Sequence, residues 1–249
     1  MRPHSTLWLF ALVYSSIGFT IYFALGVVAD RGLGATPVIF LITGLLFLFT
    51  MLTYGEGASM FRERGGSSTF ARYAFNELVA FIAGWAILID YLIVIALAAI
   101  SAAAYLAPIP FLPGHGWSEV AITLAIVGAV TVLNIRGVSG RSRPLALAGL
   151  AIADVALQVL LVVIGLFVVW QPEALTAQLD LFADPSFADL INAAVVAMLA
   201  YAGIEVAANF APDTVVSRRA LRRVIWSGAI TLPITYAGMA FVALMAVPV

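Results

Sequence analysis

Two short stretches, each in the middle of a long apolar run, hold the residues whose chemistry could bind a ligand. The first is 14–22, in which Gly18 lies among Ser15, Ser16 and Thr20. Glycine costs about 1 kcal/mol relative to alanine inside a helix, and hydroxyl side chains can hydrogen-bond locally instead of supporting the helical ladder. The pattern predicts an interrupted helix. At membrane depth, broken backbone must line a cavity or be buried in protein, and the positive end of the following half-helix can hold an anion.

The second stretch, Tyr201-Ala202-Gly203-Ile204-Glu205, places a glycine beside an acid in the middle of the sixth apolar run. The two interruptions lie five spans apart, which is the offset expected of an inverted repeat of five helices. Paired interruptions in corresponding positions of two halves indicate a transporter's binding site at the membrane midplane. For either stretch alone, small residues that let two helices pack closely are an alternative explanation. Together the stretches favour a substrate site.

Four acids lie within or at the edge of apolar runs. A carboxylate at the bilayer centre costs about 2.5 to 3.5 kcal/mol, so each acid needs an explanation. Glu205 follows the second interruption and is the best proton-coupling candidate, with a helix cap as its alternative role. Asp90 is either an inert protonated acid or a second proton-coupling candidate. Glu56 is expected to reach the cytoplasmic interface, and Asp154 is expected to make a satisfied contact with Gln158 or a neighbouring hydroxyl.

The composition excludes several other classes of protein. The chain has 249 residues, of which 63% are hydrophobic and 10% charged, which indicates an integral membrane protein. It contains no cysteine and no lysine, and its two histidines are His4 and His115, so we expect no metal site, no Schiff base and no cofactor. No nucleophile, base and orienting group occur together, which argues against an enzyme. The net charge of -1 gives no support for nucleic-acid binding.

Hydropathy predicts seven membrane spans, with an uncertainty of several residues at each end. They are 7–29, 36–60, 78–106, 117–135, 145–170, 187–211 and 224–247. Every basic residue is an arginine, and all except Arg31 fall on one side of these spans. The positive-inside rule therefore places the N-terminus in the cytoplasm and the protein in the cytoplasmic membrane. The connection 61–73 is predicted to carry an amphipathic surface segment, and small side chains at 96–104 predict that the third span is a central helix.

The motifs of the chain, taken in order, resemble those of the amino acid-polyamine-organocation transporters, and of bacterial amino acid permeases in particular. They are Ile17-Gly18 with Ile21 to Ala29, Glu56 to Phe61, Gly65 to Arg72, Ala83-Gly84-Trp85 with Asp90-Tyr91, Asn134 to Gly137, Tyr201 to Asn209, and Arg218 to Leu221. The resemblance implies an all-α, LeuT-like fold of five-plus-five inverted repeats, with broken helices 1 and 6 and alternating access. It also implies secondary transport of amino acids or related amines, driven by protons or by exchange.

The resemblance further implies a substrate site between the two interruptions. Backbone amides of the first would receive the substrate carboxylate, carbonyls of the second would receive its amino group, and Glu205 matches an acid linked in some members to proton sensing. The implied site residues are Ser16, Ile17, Gly18, Phe19, Thr20, Ala200, Tyr201, Ala202 and Gly203. Tyr201 could cover the substrate. Phe19 stands where small residues are usual, so it should narrow the site or face away from it.

The length of the chain departs most from the family pattern. Residues 7–170 would form the first five-helix repeat, and residues 187–249 would form only the start of the second, inverted repeat. Either the chain is the N-terminal portion of a longer permease, or it works by assembling with another polypeptide or with itself. The alternative function is that of a non-transporting membrane protein that acts through a partner chain.

Overall fold

The computed structural model describes residues 13–14, 16–61, 63, 65–106, 116–136, 143–171, 185–203 and 218–246. Within these ranges the chain forms α-helices and short 3-10 segments, and no strand. The α-helices are α1 (Ile21–Gly32), α2 (Thr36–Met60), α3 (Ser67–Ala74), α4 (Glu77–Leu106), α5 (Trp117–Arg136), α6 (Arg143–Val168), α7 (Phe187–Leu199) and α8 (Arg218–Ala246). The predicted all-α class is confirmed.

Each predicted span overlaps one of these helices. Five helical stretches of the described chain are long and apolar enough to cross a membrane: Gly18–Gly57, Glu77–Leu106, Trp117–Arg136, Gly149–Val168 and Arg223–Ala246. The first stretch contains two predicted spans, because the left-handed backbone of Leu33 (φ 44°) separates α1 from α2. α7 is apolar but has 13 residues, fewer than the ~20 that a bilayer requires. The rest of the predicted sixth span lies outside the described residues.

α2 and α8 pack along each other in opposite directions. A Cβ atom added to Gly44 would lie 2.6 Å from Cβ of Pro233, and one added to Gly55 would lie 2.5 Å from Cδ1 of Ile225. Residue numbers therefore rise along α2 as they fall along α8, which makes the pair antiparallel. The two glycines let the helices approach closely, as small residues do between membrane helices.

α1 and α7 form a second antiparallel pair. At one end, Nη1 of Arg31 lies 3.5 Å from Oδ1 of Asp189. At the other end, the hydroxyl of Thr20 hydrogen-bonds to the carbonyl of Ala200. Arg31, which the span prediction places on the opposite side of the membrane from the other arginines, thus lies beside Asp189, which hydropathy places on the same side as Arg31.

Replacing Gly44 with alanine is expected to lower the thermal unfolding midpoint of the detergent-solubilised protein. The added Cβ would overlap the rigid Pro233 ring, and such overpacking typically costs about 1–3 kcal/mol. Gly128→Ala in α5 is the matched control, because nothing lies within 4 Å of its added Cβ. Equal midpoints for the two variants would mean that α2 and α8 do not meet at Gly44.

The core lies between α1, α2, α7 and α8, and α4 lies at its edge. Only Ala99 and Ala103 of α4 are buried, and the described chain buries no residue of α5. The prediction of a central third span is not met among the described residues. Small side chains on a helix let other helices approach it from several directions, but they do not determine whether such helices are present there.

The connection between the second and third spans carries the predicted amphipathic helix, α3. The Phe61 ring stacks on the Tyr73 ring with centroids 4.5 Å apart, and the Tyr73 hydroxyl donates to Oε1 of Glu63 at 2.6 Å. Arg72 forms an ion pair with the same carboxylate. Residues 61 and 63 are therefore fastened to the last turn of α3.

Acid is expected to release this contact. The hydrogen bond from Tyr73 and the neighbouring Arg72 lower the pKa of the Glu63 carboxyl from its ordinary 4.5. A carboxyl whose pKa is lowered by folding contributes stability above its ordinary pKa and loses it as the pH falls through the lowered value. Amide hydrogen exchange in α3, corrected for intrinsic rates, should therefore accelerate below about pH 4.5. Glu63→Gln should remove this step, and a step that persists in the variant would contradict the assignment.

Candidate functional site between the two helix interruptions

The first predicted interruption is present as a single 3-10 turn, Gly18–Thr20, directly before α1. The backbone of Ile17 (φ −114°, ψ −47°) departs from regular helix where this turn begins. Ile17 and Thr20 are fully buried, so the turn lies inside the protein. A change of backbone pattern here leaves carbonyl groups that need other hydrogen-bond donors.

The second predicted interruption begins at the end of α7. The helix ends at Leu199, residues 200–203 form a turn, and Gly203 has the left-handed φ of +106°. The proton-coupling candidate Glu205 lies outside the described residues.

The two interruptions are in direct contact. A Cβ atom added to Gly203 would lie 2.5 Å from the carbonyl oxygen of Ser16 and 3.4 Å from Cγ1 of Ile17. The second turn can approach the first this closely only because residue 203 has no side chain. The structure thus brings together stretches that the sequence separates by more than 180 residues.

Two hydroxyls and two backbone carbonyls hold the contact together, and we call them the hydroxyl cluster. Oγ1 of Thr20 lies 2.6 Å from the Ile17 carbonyl oxygen and within hydrogen-bond distance of the Ala200 carbonyl. The hydroxyl of Tyr236 in α8 lies 2.8 Å from the first oxygen and 3.2 Å from the second. The two hydroxyls are 2.9 Å apart. Two hydroxyl hydrogens thus serve two carbonyls, one from each interruption.

A second buried network joins the first interruption to α6. Nε2 of Gln158 donates to the carbonyl of Gly18 at 2.9 Å and to Oδ2 of Asp154 at 3.0 Å. The hydroxyl of Tyr22 donates to Oδ1 of Asp154 at 2.7 Å, and the hydroxyl of Tyr14 donates to Oε1 of Gln158 at 2.9 Å. The satisfied contact predicted for Asp154 is present, and it involves both a hydroxyl and Gln158.

Two cavities lie beside α1. One has a volume of about 350 Å³ and is lined by Phe19, Tyr22, Phe23, Ala98, Ser101, Ala102 and Tyr105. The other, of about 490 Å³, shares Tyr22, Phe23 and Tyr105 with it and reaches Met239 of α8. Phe19 therefore lines a cavity beside α1.

The side chains of Tyr201, Ser16 and Asp90, which were also predicted as site residues, lie in three different environments. The Tyr201 hydroxyl donates to the Phe40 carbonyl at 2.8 Å, and its ring stacks on Phe47 at 4.8 Å, so its side chain is bound to α2. Ser16 Oγ donates to the Val13 carbonyl at 2.9 Å. Asp90 is half-buried in α4 and belongs to neither hydrogen-bond network. Among the described residues, no group of His, Cys, Asp and Glu could hold a metal ion.

The sequence of the chain matches a known protein family along almost its whole length. A sequence profile of the amino acid permease family matches residues 5–249. The chain belongs to the amino acid permease family. The resemblance in its motifs is thereby confirmed.

The permease is also similar to curated bacterial transporters. It is 23% identical over 213 residues to the low-affinity putrescine importer PlaP of Escherichia coli K12, which covers 85% of this chain and 46% of the relative. It is 30% identical over 123 residues to the branched-chain amino acid permease BcaP of Bacillus subtilis, covering 48% of this chain and 26% of the relative. A match to the glutamate/serine transporter AimA of Bacillus subtilis has 34% identity over 79 residues, covering 31% of this chain and 15% of the relative. The chain spans less than half the length of these relatives.

Sequence reasoning missed Tyr236 and Tyr22 in this permease. Tyr236 of α8 reaches both interruptions, and its hydroxyl is fully buried. A tyrosine beside Thr235 and three residues after Pro233, in the middle of the seventh apolar run, was a usable signal. A buried tyrosine usually finds a hydrogen-bond partner, and a proline frees a backbone carbonyl nearby.

Proposed function

We propose that this permease is a secondary transporter of amino acids or related amines, and that it binds substrate between the two interruptions. The observation that carries the proposal is their contact, in which the hydroxyls of Thr20 and Tyr236 join the carbonyls of Ile17 and Ala200. Interrupted helices that meet inside a membrane protein place unpaired backbone groups and helix ends at one point, and such points bind small polar substrates.

The roles of the site residues follow from this geometry. The amides of Gly18, Phe19 and Thr20 lie at the N-terminal end of α1, where the helix dipole favours a carboxylate. The carbonyls of residues 200–202 are proposed to receive the amino group. The Ala200 carbonyl already accepts hydrogen bonds from the hydroxyl cluster, so an ammonium group must displace a hydroxyl there. Substrate binding would thus loosen one interruption from the other.

The antiparallel helix pairs support a LeuT-like, five-plus-five inverted repeat. α1 pairs with α7, and α2 pairs with α8, as expected if the first and second spans correspond to the sixth and seventh in an inverted unit. We propose residues 7–170 as the first repeat and residues 187–249 as the start of the second. Ten spans complete such a fold, so the proposal requires further helices, whether from the same polypeptide, a second copy or another chain.

Membrane orientation and energy coupling complete the proposal. The N-terminus lies in the cytoplasm, as the distribution of arginines indicates. Transport is driven by protons or by exchange, with Glu205 and Asp90 as candidate proton-coupling groups. If Glu205 senses protons, Glu205→Gln should remove the pH dependence of uptake.

Uptake into proteoliposomes tests the function. The panel is labelled putrescine, leucine, glutamate and serine, with and without an inward proton gradient, and uptake of at least one is expected. Gly18→Leu and Gly203→Leu should abolish that uptake without preventing insertion, whereas Gly128→Leu, on an open face of α5, should not. Uptake unchanged in both site variants would contradict the site. No uptake by the folded, inserted chain alone would mean that the further helices must be supplied before the chain can transport.

A further inference from the structure

A cavity of about 350 Å³ between the first interruption and α4 has no part in the contacts that hold the proposed site together. Phe19, Tyr22 and Phe23 form one wall, because residues three and four positions apart share a helix face. The rings of Phe19 and Phe23 lie 6.3 Å apart at an angle of 60°. The other wall is a face of α4 in which small side chains predominate: Ala98, Ser101, Ala102 and Tyr105. The small side chains of α4 thus leave space beside the proposed substrate site.

The described walls of this cavity carry no charged side chain. The hydroxyl of Tyr22 is bound to Asp154, and that of Tyr105 donates to the Tyr22 carbonyl at 2.7 Å. Ser101 adds one hydroxyl, which a helix can satisfy with its own carbonyls. An unpaired charge is strongly disfavoured in such surroundings, whereas a dry apolar cavity accepts apolar groups. The cavity therefore suits an apolar part of a ligand.

Asp154 does not supply a counter-charge for an amine in this cavity. It lines neither of the two cavities beside α1. Its Oδ1 accepts a hydrogen bond from the Tyr22 hydroxyl at 2.7 Å, and its Oδ2 accepts one from Nε2 of Gln158 at 3.0 Å. The ammonium group at the far end of a diamine would therefore enter the cavity without a partner.

The position and size of the cavity fit the side chain of an amino acid. Phe19 lines the cavity, and the hydroxyl of the next residue, Thr20, belongs to the hydroxyl cluster. Adjacent α-carbons are about 3.8 Å apart, so the cavity begins within one residue of the proposed contacts for the amino group and the carboxylate. An apolar cavity of about 150 Å³ is enough to bind benzene. A cavity of about 350 Å³ therefore has room for a branched aliphatic or an aromatic side chain.

From this arrangement we infer that the cavity is the side-chain subsite of the proposed substrate site. It selects amino acids with branched aliphatic or aromatic side chains over diamines and acidic amino acids. The inference rests on the proposed function, because it names the class of substrate that the proposed site takes.

A cysteine reporter in the cavity wall tests the inference without transport. The chain has no native cysteine, so the nearly isosteric Ser101→Cys places a single thiol on the wall. Its labelling rate with N-ethylmaleimide is measured at one pH with increasing leucine, phenylalanine, glutamate or putrescine. Ala104→Cys, on an exposed part of the same helix that lines neither cavity, is the matched control.

Leucine and phenylalanine should slow the labelling of Ser101→Cys and leave that of Ala104→Cys unchanged. The half-protecting concentrations of glutamate and putrescine should be at least about tenfold higher, which is the low end of what a hydrophobic pocket achieves for one methylene. Protection by glutamate or putrescine at the same concentrations as leucine would overturn the inference. Labelling that responds to added lipid and to none of the four compounds would also overturn it, because an acyl chain would then occupy the cavity.

Filling the cavity provides a second test. Ala102→Leu adds three carbons to the wall and leaves the two interruptions unchanged. Combined with Ser101→Cys, it should raise the half-protecting concentration of phenylalanine at least about tenfold, because the ring loses its space. Ala104→Leu, combined with the same reporter, should leave that concentration unchanged. Equal concentrations for Ala102→Leu and Ala104→Leu would mean that the ring does not enter the cavity.

The reporter and the uptake assay fail separately. Protection by leucine without uptake of any tested compound would support the subsite and show that this chain alone binds substrate but does not transport it. Uptake of a tested compound without protection of Ser101→Cys would support transport and overturn the subsite.

Discussion

Replacing Gly203 with alanine is expected to abolish substrate binding and to destabilise the detergent-solubilised permease by more than about 2 kcal/mol. Two costs add at this position. The backbone φ of +106° is one that residues with a side chain rarely adopt, and a left-handed conformation costs such residues about 1–2 kcal/mol. In addition, the new Cβ would lie 2.5 Å from the Ser16 carbonyl oxygen, which is backbone and cannot move aside as a flexible side chain could.

Two other glycines separate these costs. Gly116 also has a left-handed φ, +73°, but nothing lies within 4 Å of its added Cβ, so Gly116→Ala measures backbone strain alone. Gly26 lies inside α1 with nothing within 4 Å of its added Cβ, so Gly26→Ala should carry neither cost. The thermal unfolding midpoint should therefore be highest for Gly26→Ala, lower for Gly116→Ala and lowest for Gly203→Ala. If Gly203→Ala lowered the unfolding midpoint no more than Gly116→Ala does, the two interruptions would not be in close contact at Gly203.

The sequence predicted the break at Gly18 and a helix end close to Gly203 because the causes of both are local. Gly18 with its hydroxyl neighbours, and Gly203 in mid-run, are weak helix formers whatever they contact. The amphipathic helix α3 and the partners of Asp154 were predictable for a similar reason. Gln158 lies one turn from Asp154 on the same helix face, so their contact follows from helix geometry alone.

The contact between the interruptions could not be predicted in atomic detail. Tyr236 reaches Thr20 across 216 residues, and no periodicity in either span indicates which hydroxyl meets which carbonyl. The third span shows the opposite error, because its small residues predicted a central position, while only Ala99 and Ala103 are buried in the described chain. A sequence pattern indicates which contacts a helix surface permits. Which neighbours use that surface depends on the packing of the whole chain.

Tyr201 illustrates the same limit at the site itself. Its place beside the second interruption suggested a ring that covers the substrate. In the structure the hydroxyl of Tyr201 is bonded to Phe40 and its ring lies against Phe47, so the side chain fastens the turn to α2. Ala200, through its carbonyl, and Gly203, which has no side chain, are the residues of this turn that contact the first interruption.

Removing the two hydroxyls of the hydroxyl cluster should show that they act as one unit. Thr20→Val and Tyr236→Phe each leave a buried carbonyl short of a donor, which typically costs about 1–3 kcal/mol. Because each hydroxyl reaches both the Ile17 and the Ala200 carbonyls, the second hydroxyl can partly replace the first. The double variant should therefore lose more than the sum of the single variants, by about 0.5–3 kcal/mol, the range found for residues in one network.

The measurement is a double-mutant cycle on the unfolding free energy in detergent, repeated for substrate affinity once a substrate is known. Thr43→Val is the matched control for Thr20, because Thr43 is as deeply buried but donates only within its own helix. Combined with Tyr236→Phe, it should give additive losses. Additive losses for Thr20 and Tyr236 would mean that the hydroxyls serve separate carbonyls. An incoming ammonium group would then find no shared donors to displace.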